Sequence, residues 1–204
     1  MTPLENYFKF LTIIERLKYT DRFSAASLEF KESTAAHTWR VAIMAFTLGE
    51  ELALDIDLFK AVKIALVHDI VECIHGDVDY TLVVKGKISK TEKHAQEAAA
   101  IKIICAPLDP ALSAELTALW EEYEHVSSAE AKYIKALEKI ECIAHALDVG
   151  VALHHMPEVF PVYADPHVKN FPALLPVLQE AKLRLKKEFT SADIPWKDEY
   201  NYGL

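Results

Sequence analysis

An all-α fold is what three features of this sequence predict. Apolar residues return at three- and four-residue steps in nearly every segment, where strands would alternate. Glycine is scarce, at 5 of 204 residues, while 51% of the chain is hydrophobic, a balance that suits a compact helical protein. Ser, Thr and Asp stand just ahead of the periodic runs, where their side chains can accept hydrogen bonds from the first free helix N–H groups.

Taken in order, Leu4, Phe8, Leu11 and Ile14 mark a first helix over residues 4–18. The polar stretch that follows, KYTDRFSAASLEFKEST, is too long for an ordinary turn. Ser33 or Thr34 then caps a helix running to about Leu52, with His37 in line with Val41, Met44 and Leu48 on its inward stripe. Asp55 or Asp57 starts a third helix, which carries ALVHDIVECIHGDVDY, residues 65–80. Phe59, Val62, Leu66, Ile70 and Cys73 form one apolar side of it, and Ala61, Ile64, Val67 and Val71 the other. A helix apolar all round is predicted to be central and buried. HGDVDYTLVVKGK is a turn-like interruption, after which residues 90–106 and 110–124 read as helices divided by PLDP. Ser127 with Glu130 fits a capping box at the start of a long helix. Pro157, Pro161 and Pro166 predict a loop or broken segment over 157–172, and a last amphipathic helix spans about 173–189.

Charge and cysteine usage narrow the function classes. Lys and Arg number 22 against 31 Asp and Glu, a net charge of -9, which argues against nucleic acid or an anionic membrane as a partner. One small anion in a local positive pocket stays compatible with that balance. Cys73, Cys105 and Cys142 are odd in number and scattered, which fits reduced thiols better than a disulfide framework. No window has the apolar length of a membrane span, and MTPLENYFKFLTIIERLK lacks the basic start and clean apolar stretch of a secretory signal. A soluble cytoplasmic protein is expected.

The third helix poses a burial problem. Ionisable groups are costly inside a core unless they are paired or bind a metal. His68 and Glu72 lie one turn apart on a shared face, with Asp69 beside them and His75 and Asp77 just beyond. Imidazole and carboxylate suit a divalent transition metal; adjacent His68 and Asp69 supply two positions, and His37 is the best upstream candidate for another. A core histidine satisfied by a carboxylate is the commoner arrangement, so on these residues alone the two readings stand about even. Glu138, Glu141, His145 and Asp148 share a face of the long helix that either lines a pocket or meets solvent. A second metal site from His145, His154 and His155 is disfavoured, because neighbouring histidines leave a helix on different sides. Trp39 and Trp120 read as packing residues, and the charges of KTEKHAQEAAA read as a solvated face.

ESTAAHTWRVA followed by ALVHDIVECIHGD resembles the core of the HD-domain metal-dependent phosphohydrolases. More narrowly, the chain is similar to their 5′-deoxynucleotidase subfamily and its eukaryotic HD-domain-containing relatives. RLKYTDRF and LWEEYEHVSSAEAKYIKALEKIE extend the likeness beyond the metal core. The resemblance implies a single HD domain, a helical bundle with its core at about 8–150, a C-terminal helical extension over 151–204 and a metal site between the helices. It implies one divalent cation (Mn, Co, Mg, Fe or Zn), held by His37, His68 and Asp69. Glu72 and Asp77 would be the acid–base and water-orienting carboxylates. Arg22 would hold the phosphate of a small-molecule nucleotide substrate, Phe23 would pack on the nucleoside, and His75 beside the site would contact substrate. A homodimer is implied as well.

The family's fourth ligand is an aspartate on the late helix, and here that position is Glu138, longer by one methylene. Glu141 and Asp148 are the fallback ligands on the same helix. Hydrolysis of deoxyribonucleoside 5′-monophosphates is the expected activity. The alternatives are another phosphomonoester or a cyclic nucleotide as substrate, or a nucleotide-binding regulatory protein whose catalysis is weakened through Glu138.

Overall fold

The computed structural model describes residues 2–23, 31–77 and 90–204, and its regular elements are all helical. The only extended pairing among the described residues is a single antiparallel bridge between Asp21 and Ser33. α1 spans Pro3–Ile14 and opens on a capping box, Thr2 accepting from the Glu5 N–H at 3.2 Å while Glu5 accepts from the Thr2 N–H at 2.7 Å. It tightens into a 3₁₀ turn over Glu15–Tyr19. α2 spans Thr34–Glu51 with Ser33 as its cap, and α3 spans Leu58–Val67 with Asp57 as its cap.

The third helix is shorter than its sequence suggests. After Val67 the bonds contract to three-residue steps, from Ile70 N–H to Val67 C=O at 3.1 Å and from Glu72 N–H to Asp69 C=O at 3.0 Å. A one-turn helix, α4, follows over Glu72–His75 and stops at Gly76, whose φ of 80° lies in the left-handed region that glycine enters freely. Nor is α3 buried all round: Phe59 is 72% and Leu66 52% exposed. The helix buries Ala61, Ile64, Ala65 and Val67, and its two small alanines bring it close to its neighbours. Beyond Asp77, the turn-like stretch lies outside the described residues.

α5 covers Lys90–Cys105, and α6 covers Pro110–His125 behind an Asp109 cap. α7, Ala129–Val149, starts one residue later than the capping box implies. Ser128 is its cap, accepting from Ala131 N–H at 3.0 Å, while the Ser127 hydroxyl donates to the Glu122 carbonyl. Glu130 turns outward to accept from the Asp57 N–H at 3.1 Å, so it ties the start of α7 to the start of α3. The proline-broken stretch forms short helical turns, with α8 at Phe160–Tyr163 and α9 at Asp165–Asn170; α10 then runs over Leu175–Ser191.

Two apolar clusters result. The larger is built around α7, whose Tyr133, Ile134, Leu137 and Ile143 are fully buried against Val41 and Ala45 of α2, Ile64 of α3, and Leu178, Leu185 and Phe189 of α10. The smaller joins Phe10, Val67, Ile70, Cys73, Ile101, Ile104 and Trp120 from α1, the α3–α4 junction, α5 and α6. Trp120 therefore packs as expected, whereas Trp39 is 66% exposed. Among the described residues, no helix is long and apolar enough to cross a membrane.

Candidate metal centre

His68 is the first residue beyond α3, and its Nδ1 lies 2.7 Å from the Ala65 carbonyl oxygen. A carbonyl can only accept, so Nδ1 carries the proton. His37, fully buried on α2, has Nδ1 at 2.5 Å from Glu141 Oε2 of α7. The same logic places its proton on Nδ1 when the carboxylate is ionised. Both Nε2 atoms are left with lone pairs, and they face one another at 3.3 Å. Asp69 Oδ2 completes the group at 3.1 Å from His68 Nε2 and 3.7 Å from His37 Nε2.

Three electron pairs so close repel one another unless a cation lies among them. An ion about 2.1 Å from each donor at tetrahedral angles requires donor separations of about 3.4 Å. The three observed gaps bracket that value, so the residues present fit a divalent cation. Glu141 behind His37 and the Ala65 carbonyl behind His68 are the outer hydrogen bonds that fix metal-binding imidazoles in one tautomer and orientation. Burial and the nearby Arg22 charge hold the His37 imidazole well below its ordinary range, which keeps it neutral for binding. Burial opposes the charge on Asp69, yet His68, His37 and Arg22 together hold its carboxyl well below the usual range.

The three-residue steps after α3 set Asp69 and Glu72 on one face. Glu72 Oε2 accepts from the Thr34 hydroxyl at 2.7 Å, and burial, with Asp69 and Asp77 close by, pushes its carboxyl well up. Asp77 also acts on Arg22, so the two proposed acid–base carboxylates and the arginine share one neighbourhood.

Glu138 is buried near His68 but is not one of the three converging donors. Its Oε1 accepts from the Tyr123 hydroxyl at 2.8 Å and lies 2.9 Å from Lys139 Nζ. Burial disfavours its charge, but Lys139, Lys135 and His68 outweigh that and bring its carboxyl down to about 2. Of the fallback ligands, Glu141 is bonded to His37 on the side away from the cluster, and Asp148 is exposed and paired with Arg40 at 2.7 Å.

Arg22 is buried, with its guanidinium 2.9 Å from Glu32 Oε2, 3.3 Å from the Cys142 sulfur and 3.7 Å from Glu141 Oε2. Phe23, at φ 52°, stacks on His145 with centroids 5.1 Å apart and meets the edge of His154 at the same separation. His145 and His154 thus come together around Phe23, away from the three donors. His75 points Nδ1 at the Gly76 carbonyl, 2.9 Å away, and stands outside the donor cluster. Thr34, Glu32, Tyr123 and Lys139 are neighbours of the site that no sequence motif marks. Thr34 and Tyr123 each meet a partner on another helix, Glu72 and Glu138, far off in sequence.

Known proteins share this chain's sequence pattern and its fold. The family model described as HD domain matches residues 14–159. The 5'-deoxynucleotidase HDDC2 of Xenopus laevis is 37% identical over 146 residues, covering 71% of this chain and 69% of that protein. Its Homo sapiens counterpart is 37% identical over 151 residues, covering 73% and 70%. The crystal structure of a predicted metal-dependent phosphohydrolase from Magnetospirillum magnetotacticum superposes with a TM-score of 0.71 over 95% of this chain and 98% of that one, at 24% identity, and shares the fold. The matched span begins at the last residue of α1, ends just before α8 and encloses all three converging donors: this chain belongs to the HD-domain family.

Proposed function

We propose that this protein is a metal-dependent phosphomonoesterase that hydrolyses deoxyribonucleoside 5′-monophosphates to deoxyribonucleosides and phosphate. The observation that carries the proposal is the convergence of His37 Nε2, His68 Nε2 and Asp69 Oδ2, in a chain whose curated relatives are named 5'-deoxynucleotidases. A divalent cation held there supplies charge neutralisation at phosphate and a water that is nucleophilic near neutral pH. Its identity lies among Mn, Co, Mg, Fe and Zn.

The chain's own groups do the rest. Water attacks phosphorus, the P–O5′ bond breaks, and O5′ gains a proton. Glu72 and Asp77 take one proton and deliver the other, and the Thr34 hydroxyl holds Glu72 in place. Arg22 binds the phosphate through charge-assisted hydrogen bonds, in competition with its bond to Glu32. Phe23 and His75 bound the nucleoside side. Glu138 remains the candidate fourth donor, in competition with its bonds to Tyr123 and Lys139. Also on the strength of the family resemblance, the protein is a cytoplasmic homodimer of single HD domains, each with its core at about 8–150 and a C-terminal extension over 151–204.

The test is phosphate release from a panel of 5′-, 3′- and cyclic nucleotides in the presence of each of these metals. Preferential release from deoxyribonucleoside 5′-monophosphates is expected, together with its loss in Asp69→Asn. Preference for ribonucleotides or cyclic nucleotides overturns the substrate assignment, and no release with any metal overturns the enzymatic one. Equal metal content in wild type, Glu138→Asp and Glu138→Ala would remove Glu138 from the donor set.

A further inference from the structure

A second group of donor atoms lies between α5 and α6 and shares no residue with the centre above. His94 and Glu97 stand one turn apart on α5, and Glu124 faces them from the end of α6. One ligand atom from each lies within 4.8 Å of the others. His94 Nδ1 lies 3.8 Å from Glu124 Oε2. The other Glu124 oxygen is 3.9 Å from Lys135 Nζ, so the oxygen facing His94 is the one turned toward the group.

The surroundings hold these groups in place. The His94 ring lies nearly flat on Trp120, with centroids 6.1 Å apart and planes 12° apart, and meets the edge of His125 at 5.8 Å. Residues 91, 92 and 94–96 are exposed, as the charges of this stretch suggest, but Glu97 is only 5% exposed and turns inward. Trp120 is itself buried in the smaller apolar cluster, which gives the group a firm floor. One imidazole nitrogen and two carboxylate oxygens make a donor set suited to borderline divalent ions such as Zn(II) and Co(II). Separations below 4.8 Å need to close toward about 3.4 Å on binding. The His94 side chain is 48% exposed, so its ring can slide across the Trp120 face to supply the movement.

We propose that His94, Glu97 and Glu124 form a second divalent transition-metal site, which clips α5 to α6 when filled. It is independent of the reaction proposed above, because none of its donors belongs to that centre.

The stack on Trp120 gives this site its own signal, since Co(II) bound at His94 quenches an indole in ring contact. Wild type, His37→Ala, His94→Ala and the double variant are dialysed against Co(II) or Zn(II), and bound metal is measured by elemental analysis. Two ions per chain are expected in wild type, one in each single variant and none in the double. In the His37→Ala background, Co(II) should quench tryptophan emission, and Trp120→Phe or Glu124→Gln should abolish the quenching. Glu124→Gln also serves where His94→Ala loses helix content by circular dichroism. Equal metal content in wild type and His94→Ala overturns the proposal, as does Co(II) quenching that survives Trp120→Phe. Neither readout depends on catalysis, so the result stands apart from the identity of the substrate.

Discussion

Glu141 acts on the centre through His37, which it holds by Nδ1 in the orientation that turns Nε2 inward. Replacing it by glutamine keeps an acceptor but removes the charge that strengthens the imidazole as a ligand. Glu141→Gln is therefore expected to lower metal affinity about 10–100-fold with the fold intact, measured by competition with a chromogenic chelator. His37, His68 and Asp69 stood out as candidates by residue type and order, which left metal binding and a satisfied core histidine about even. The family resemblance is what made them a ligand set. The job of Glu141 was not legible in sequence. Its partner lies 104 positions away, and residue type alone cannot tell a carboxylate that binds an ion from one that orients a ligand.

At the scale of elements, the caps were the most readable signals and the end of α3 the least. Ser33 and Asp57 cap where the sequence places them. At α7 two adjacent serines compete, and the backbone chooses Ser128. Ser128→Ala should cost about 1 kcal/mol of stability, and Ser127→Ala distinctly less, compared by urea denaturation. α3 has no glycine or proline to mark its stop, and its apolar residues continue past Val67 without a break in pattern. Only the change from four- to three-residue hydrogen bonds ends it, and His68 and Asp69 stand at that change. The exposed side of α3 was equally hidden, since an apolar wheel does not say how many neighbours a helix has.

Across the whole molecule, the all-α class followed directly from periodicity, while the packing of the C-terminal helices depended on contacts far apart in sequence. Two buried groups there carry a test of acid stability. His154 is 6% exposed, ringed by Phe23, His145 and Phe160, and its Nε2 has no hydrogen-bond partner among the described residues. Burial holds its imidazole below the ordinary value, and that of the neighbouring His145 likewise. The unfolded chain binds these protons near pH 6.5 and the folded one only at lower pH. Stability should therefore fall as pH drops below about 6.5, and His154→Phe should flatten that fall in thermal melts from pH 7 to pH 5.

The two apolar clusters meet at the α3–α4 junction: Ile64 and Ala65 belong to the larger, Val67 and Ile70 to the smaller, and His68 and Asp69 lie between them. His37 approaches that seam from α2, in the larger cluster. An ion held by all three residues would make the halves melt as one cooperative unit. Chelation should loosen the joint first, splitting or broadening the calorimetric transition so that its van't Hoff enthalpy drops below the measured heat.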